Sequence, residues 1–345
     1  MKIQVLDCTL RDGGYVNNWR FGKKNALHIV DLVSQSGVDY VELGFIRLCD
    51  YDKDVIQFSE MSQVSRMFRP SSLKLGVMVE IGYGYPVESF PIRSDMTVDL
   101  VRIVVWKRMM KEAYEYASKL IEKGYEVCIQ ATRIEQYSLG EFAEFVRFFS
   151  QLNLKGIYIV DTFGLLTKER LLSYASVADD NLCGNSCIGY HAHNNMQQAF
   201  SNMTAFVEHS WNHQIMIDAS VLGIGRGAGN LCLELLEDYL NEHFNTKYAV
   251  EFLLAAADQY ILPIYRNKPW GYSMPYLLSA KNDINPSFVN YMMDKGVSVC
   301  QMLQMFRAMK ERNAGIIYDE KMCDDLMAHP DFSVAAHTDP HDRIN

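Results

Sequence analysis

Three short stretches carry residue types that could grip a cation and polarise a carbonyl group. The first is Asp7-Cys8-Thr9-Leu10-Arg11-Asp12-Gly13-Gly14-Tyr15, which leaves a short apolar run. The second is His191-Ala192-His193, and the third is Gly225-Arg226-Gly227-Ala228-Gly229-Asn230. Arg11 and Asp12 taken alone read as a surface ion pair in an Asp-Gly turn, which is worth little. The two histidines change that reading. If they end a strand, a spacing of two puts both imidazoles on one face. Two imidazoles and a carboxylate make a divalent-metal site with open positions. A pair of hydrogen-bonded core histidines is the plainer alternative. The glycine loop matches a dinucleotide fingerprint only weakly, because no further strand with a ribose-binding acid follows it. After a last strand, such a loop instead lets backbone amides or Asn230 approach an anion or a metal.

Those stretches need elements to position them. Eight apolar, β-branched runs serve: Ile3–Leu6, Tyr40–Phe45, Leu73–Val79, Leu100–Val105, Glu126–Ala131, Gly156–Val160, Ile188–His191 and Ile215–Ala219. Their starts lie roughly 25 to 40 residues apart, the length of a βα unit. Helical patterns fill most gaps, at 26–36, 114–123, 139–152, 168–178, 197–209 and 231–241. The gap from Gly82 to Asp99 holds Gly, Tyr, Pro and Ser, and reads as a long loop over a site. Asp12, Glu42, Glu80, Arg102, Gln130, Asp161, His191, His193 and Asp218 all fall at or near a strand's carboxyl end. In a closed (β/α)8 barrel those ends converge, whereas in an open doubly wound sheet they would spread along an edge. The pattern therefore predicts an α/β fold, a TIM barrel over residues 1–245. Residues 246–345 form a helical C-terminal extension, expected to pack on the barrel mouth and to end in a loose tail from Asp331. Glu42, Arg102 and Thr162 are candidate substrate-binding residues. Asp161, in Asp161-Thr162-Phe163-Gly164, reads equally well as a cap for the helix that follows.

The composition narrows the function classes. Hydrophobic residues make up 49% of 345, enough for a full core, and the formal net charge is -9. With no basic run, neither nucleic acid nor an anionic membrane is the expected partner. No apolar stretch reaches the 18 or so residues of a membrane span, and the N-terminus does not read as a signal peptide. Eight scattered cysteines without a CxxC pair suit a reducing, cytoplasmic setting and argue against structural zinc.

The three motifs together resemble those of the DRE-TIM metallolyases, a superfamily of TIM barrels that includes 4-hydroxy-2-oxovalerate aldolase, hydroxymethylglutaryl-CoA lyase and the isopropylmalate and homocitrate synthases. The likeness runs over residues 1–245 and is greatest to the aldolase branch, whose appended helical region carries a segment like Gly271-Tyr272-Ser273. The resemblance implies that Asp12, His191, His193 and Asn230 bind Mn2+ or Mg2+. It implies that Arg11 stabilises an enolate oxygen and that Tyr272 faces the substrate. Tyr15 stands where the aldolase has a histidine base. A tyrosine is a poor base near neutral pH, so Tyr15 acts through a water, another group takes the proton, or the substrate differs. The expected activity is metal-dependent cleavage or formation of a 4-hydroxy-2-oxo acid through a pyruvate enolate. The partners would be a small 2-oxo acid and an aldehyde, with a homo-oligomer as the assembly and no dehydrogenase partner expected. Two other readings share the scaffold: a Claisen-type acyl-CoA synthase or lyase, and a non-catalytic barrel that binds.

Overall fold

The computed structural model describes residues 2–68, 73–312, 314–329 and 332; the tail expected to be loose lies almost wholly outside them. Eight parallel strands form the barrel: β1 (Ile3–Asp7), β2 (Tyr40–Ile46), β3 (Lys74–Glu80), β4 (Leu100–Val105), β5 (Glu126–Ala131), β6 (Gly156–Asp161), β7 (Cys187–Ala192) and β8 (Ile215–Ala219). Each pairs with the next, β8 pairs with β1, and the β1–β2 pairing of Leu6 with Tyr40 closes the ring. A two-residue strand, Gln57–Phe58, pairs in parallel beside the end of β2. The expected TIM barrel is therefore the observed fold.

Strand alternation builds the interior in layers. Leu6, Tyr40, Leu100, Cys128, Cys187 and Met216 form an apolar floor. Two residues further along their strands, Glu42, Arg102, Gln130 and Asp218 form a polar layer, all buried. Two further again come Val104 and Thr132, which line a cleft at the carboxyl ends. The chemistry-bearing residues are thus the upper turns of strands whose lower turns are ordinary core.

Two local predictions fail, the second in part, for identifiable reasons. The opening motif is not a turn but a helix, Thr9–Asn17, ended by Asn18 in the left-handed conformation (φ 55°). The Asp7 carboxylate accepts from the Thr9 amide at 3.2 Å and from its hydroxyl, which ties the first turn to β1. The stretch from Gly82 to Asp99 holds no α-helix, as expected, but it packs against the barrel wall. It forms two short 3-10 turns, Ile81–Tyr83 and Val87–Ser89, and takes the place of the third barrel helix. Phe90 is fully buried among the rings of Tyr85, Tyr116 and Tyr125. The Tyr116 and Tyr125 hydroxyls donate to the Tyr85 and Pro91 carbonyls, so the segment lies along the helix Met110–Glu122.

The chain divides into two compact units, Met1–Gly271 and Tyr272–Asn345. The first runs past position 245 because the helix Val250–Ala256 buries Leu253 and Ala256 and packs on the helix Lys23–Ser36. The second unit holds the helices Met274–Lys281, Pro286–Asp294, Val299–Glu311 and Glu320–Ala328. Ser273, Asn285, Ser298 and Asp319 cap them through side-chain oxygens. Their core is Ile284, Phe288, Val289, Met292, Met302, Met305, Phe306, Met309, Cys323 and Leu326.

Candidate metal centre

Asp12 stands on the opening helix, His191 on β7 and His193 just beyond it. One ligand-capable atom from each lies within 4.8 Å of the others, and all three residues are buried. Asp12 Oδ2 and His193 Nε2 face one another at 3.4 Å. Both are buried and neither has a hydrogen-bond partner. Such atoms are costly to bury unless something binds them, and a cation between them satisfies both.

The surroundings set each imidazole's tautomer. His191 Nδ1 lies 2.8 Å from Asp218 Oδ2, and His193 Nδ1 lies 3.2 Å from the Asp161 carbonyl. A carbonyl can only accept, so His193 carries a proton on Nδ1, and its Nε2 is the atom turned toward Asp12 and the cleft. The Asp218 carboxylate imposes the same on His191. This is the arrangement that orients metal-binding histidines. Burial also holds the His191 pKa below the ordinary imidazole value, which keeps the ring neutral. Burial acts to raise the Asp12 pKa, but the Arg11 guanidinium and His193 outweigh it and hold the carboxyl well below the usual range. The set is therefore a carboxylate held ionised beside two imidazoles, the donor types that suit a divalent cation.

Asn230 adds a fourth candidate ligand. Its amide nitrogen donates to the Ile224 carbonyl at 3.2 Å, while its Oδ1 is buried without a partner. A side chain at Gly225 would come within 2.7 Å of both the Asn230 amide carbon and Asp12 Oδ2. That glycine is what lets the loop close down over the two ligands.

Arg11 bonds Glu42 through Nε at 2.6 Å and Asp12 through Nη1 at 2.5 Å. Glu42 is shared with Arg102, whose Nη1 lies 2.9 Å away, and Arg102 also pairs with Asp218 and donates to Gln130 Oε1 at 3.0 Å. One buried chain of charges thus joins Arg11 to His191. Burial acts to raise the Asp218 pKa, but Arg102 outweighs it and the group stays ionised.

The cleft holds about 100 Å3 and is lined by Arg11, Asp12, Tyr15, Glu80, Trp106, Thr132, Thr162, His191, His193 and Arg226, among others. Of the residues singled out from sequence, Arg11, Asp12, Tyr15, Thr162, His191 and His193 meet there. Glu42 and Arg102 do not: alternation puts them in the layer beneath, where they hold other side chains rather than face the opening. Asp161 caps the turn after β6, accepting from the Leu165 and Leu166 amides at 2.8 and 3.1 Å. Tyr272 begins the second unit and is half exposed. Glu80 and Gln130, noted from sequence only as polar residues at strand ends, also line the cleft, and so do Trp106 and Arg226, which were given no role. Glu80 was legible by position, as the last residue of β3, and Arg226 lay inside a quoted motif.

A closed (β/α)8 barrel with an Asp-His-His cluster at its carboxyl ends defines a class of lyase-type barrels. The HMGL-like family model matches residues 2–258, and the chain belongs to that family, whose barrels are of the DRE-TIM type. Among curated proteins it is 27% identical over 241 residues to 4-hydroxy-2-oxovalerate aldolase of Geobacillus genomosp. 3, covering 68% of this chain and 69% of that one. It is 24% identical over 237 residues to oxaloacetate decarboxylase of Mycobacterium tuberculosis, covering 67% and 68%. Among solved structures, the N-terminal domain of a Bacteroides vulgatus protein superposes with a TM-score of 0.68 at 25% identity, over 83% of this chain and 95% of that one. HMG-CoA lyase of Brucella melitensis shares the fold at 14% identity and a TM-score of 0.63, over 77% and 99%. Among the described residues no helix is long and apolar enough to cross a membrane.

Proposed function

We propose that the protein is a divalent-metal-dependent aldolase that cleaves or forms a 4-hydroxy-2-oxo acid through a pyruvate enolate. The observation that carries this reading is the Asp12, His191 and His193 cluster opening into the same small cleft as the Arg11 guanidinium. Asp12, His191, His193 and Asn230 would hold Mn2+ or Mg2+. Bound there, the ion supplies Lewis acidity toward the keto oxygen of a 2-oxo acid. Every other part is the chain's own. Arg11, held by Glu42 and Asp12, places a fixed positive charge where negative charge develops on the enolate. Asp218 and the Asp161 carbonyl keep both imidazoles facing the cleft. Thr162 lines the rim next to β7, with its hydroxyl fixed by the Arg133 amide at 2.8 Å, and contributes to binding the acid. Tyr272 is assigned a substrate-facing role on the resemblance alone.

Tyr15 is assigned as a hydrogen-bond donor and not as the base. Burial raises its pKa above the ordinary phenol value, which makes its proton harder to remove. The eight cysteines are all free thiols, which supports a cytoplasmic setting. The name of the M. tuberculosis relative points to a second substrate for the same enolate, oxaloacetate, whose C3–C4 bond breaks to carbon dioxide.

The test is metal analysis followed by pyruvate release from a series of 4-hydroxy-2-oxo acids, with Mn2+, Mg2+ or chelator. Metal-dependent pyruvate release is expected. Condensation of acetyl-CoA with a 2-oxo acid, in place of pyruvate release, would overturn the reading.

A further inference from the structure

We propose that Glu80 is the catalytic group that takes the proton from the substrate's 4-hydroxyl. The inference rests on the aldolase reading and supplies the base that reading lacks. It starts from topology. In an eight-stranded ring β3 stands four strands from β7 in either direction, so the two are diametrically opposed. A 2-oxo acid whose keto-acid end meets Arg11 and the cation that Asp12, His191 and His193 would hold, on the β1 and β7 side of the ring, extends its C4 end across the cleft toward the β3 and β4 side. Glu80 is the last residue of β3 and lines the same cleft.

Elimination points the same way. The lining side chains able to accept a proton are Asp12, His191, His193, Tyr15 and Glu80. The first three form the metal set. Tyr15 holds its proton more tightly than a free phenol does. Glu80 is half-buried, and its hydrogen bond to protein is a donation from Trp106 Nε1 to Oε1 at 3.3 Å. That contact orients the carboxylate and leaves Oε2 for a ligand. Four groups face it from the packed elements: Trp106 after β4, Arg47 after β2, Arg226 from the glycine loop and Tyr15 from the opening helix. Arg226 also stands over the Tyr15 ring at 5.2 Å. Burial raises the Glu80 pKa above that of an ordinary glutamate, against the pull of Trp106 and the two arginines. The shift moves it toward the pH at which a base must both hold and release a proton.

The step balances without a co-reactant. Glu80 takes the hydroxyl proton, and the O–H electron pair becomes the second bond of the C4 carbonyl. The C3–C4 bond breaks, and its electron pair passes into the enolate at C3, C2 and the C2 oxygen beside Arg11. The aldehyde leaves, and the proton on Glu80 is available to C3 of the enolate.

Oxaloacetate separates this role from a structural one, because its C3–C4 bond breaks with no hydroxyl proton to remove. Wild type, Glu80→Gln, Glu80→Asp and Tyr15→Phe are compared with Mn2+ on 4-hydroxy-2-oxovalerate and on oxaloacetate, with Mn2+ affinity measured by calorimetry. Glu80→Gln is expected to lower kcat for aldol cleavage by about 100- to 10,000-fold, the usual worth of a general base. It should also remove the acid limb of the pH–rate profile. Its loss on oxaloacetate should be at least about tenfold smaller, with Mn2+ affinity within about threefold of wild type. Glu80→Asp should recover part of the aldol rate, and Tyr15→Phe should lose less than about tenfold. Equal losses by Glu80→Gln on both substrates, or an intact acid limb, would overturn the proposal. A wild-type protein inactive on both substrates would sink the aldolase reading itself, before any variant is made.

Discussion

The barrel unit and the helical unit bury different things. Among the described residues, the second unit buries a single polar side chain, Ser279, under a core of Met, Phe, Ile and Leu. The barrel buries Arg11, Asp12, Glu42, Arg102, His191, His193 and Asp218 within a few strands of one another. Buried charge is a poor way to stabilise a fold, since desolvation offsets most of the attraction. The helical unit shows that this chain can build a core without it. The ions of the barrel are therefore best explained by the site above them, which they hold in one arrangement.

Breaking the site itself should give the largest effect. Asp12→Ala or His193→Ala should abolish metal binding and turnover while circular dichroism still reports a folded barrel; wild-type metal content in either variant would refute the ligand assignment. Next comes the layer beneath. Arg102→Met leaves Glu42 and Asp218 without their shared cation, and should cost about 3–5 kcal/mol in urea unfolding. A comparable loss is expected in the other core for a different reason: Phe288→Ala, which opens a cavity in the helical unit, should cost about 3–5 kcal/mol. Arg102→Met should in addition weaken metal binding, and Phe288→Ala should not, which is the contrast between the two cores put to measurement. Asp218→Asn keeps the shape but loosens the His191 tautomer, and should lower metal affinity by about 10- to 100-fold in calorimetry.

The smallest effect is a pH dependence. Burial pushes the carboxyls of Asp7 and Glu237, outside the site, up to about 7 and about 8. Groups protonated more readily in the folded chain stabilise it fully below their unfolded pKa, near 4. That stability is lost as pH rises through the folded values. The Tm should therefore fall between pH 5 and 8.5, and Asp7→Asn should flatten the fall.

Much of this architecture was legible because period and position are local properties. Each barrel strand was found to within a residue or two, since a strand buried on both faces reads as a continuous apolar run. The His191 and His193 pair needed only alternation. What stayed hidden depends on contacts across the chain. Gly13 and Gly14 read as part of a turn, yet they lie in a helix, at positions where Ile224 and the Trp19 ring leave no room for a side chain. Arg102 read as a strand-end residue, but its place two beyond Leu100 put it under the cleft and not in it. Glu80 was visible as a strand terminus, and only the ring order gives it a direction. In the second unit neither Met274–Lys281 nor Glu320–Ala328 was marked as a helix, the first because Pro269 and Pro275 read as breaks and the second because its polar face interrupts the apolar spacing.

The close seat of Ile224 against Gly13 has one more consequence. Asp12 rides on the segment that carries Gly13, and Asn230 rides on the loop that carries Ile224. The span between these two oxygens is thus gauged by a hydrocarbon wedge with no polar atom in it. An added methyl at Gly13 would stand 2.8 Å from the nearest Ile224 carbon and drive the segments apart. A small ion that insists on short, regular bonds would then fit worse, and a larger and more tolerant one better. If the proposed ion binds there, its radius would be selected by carbon.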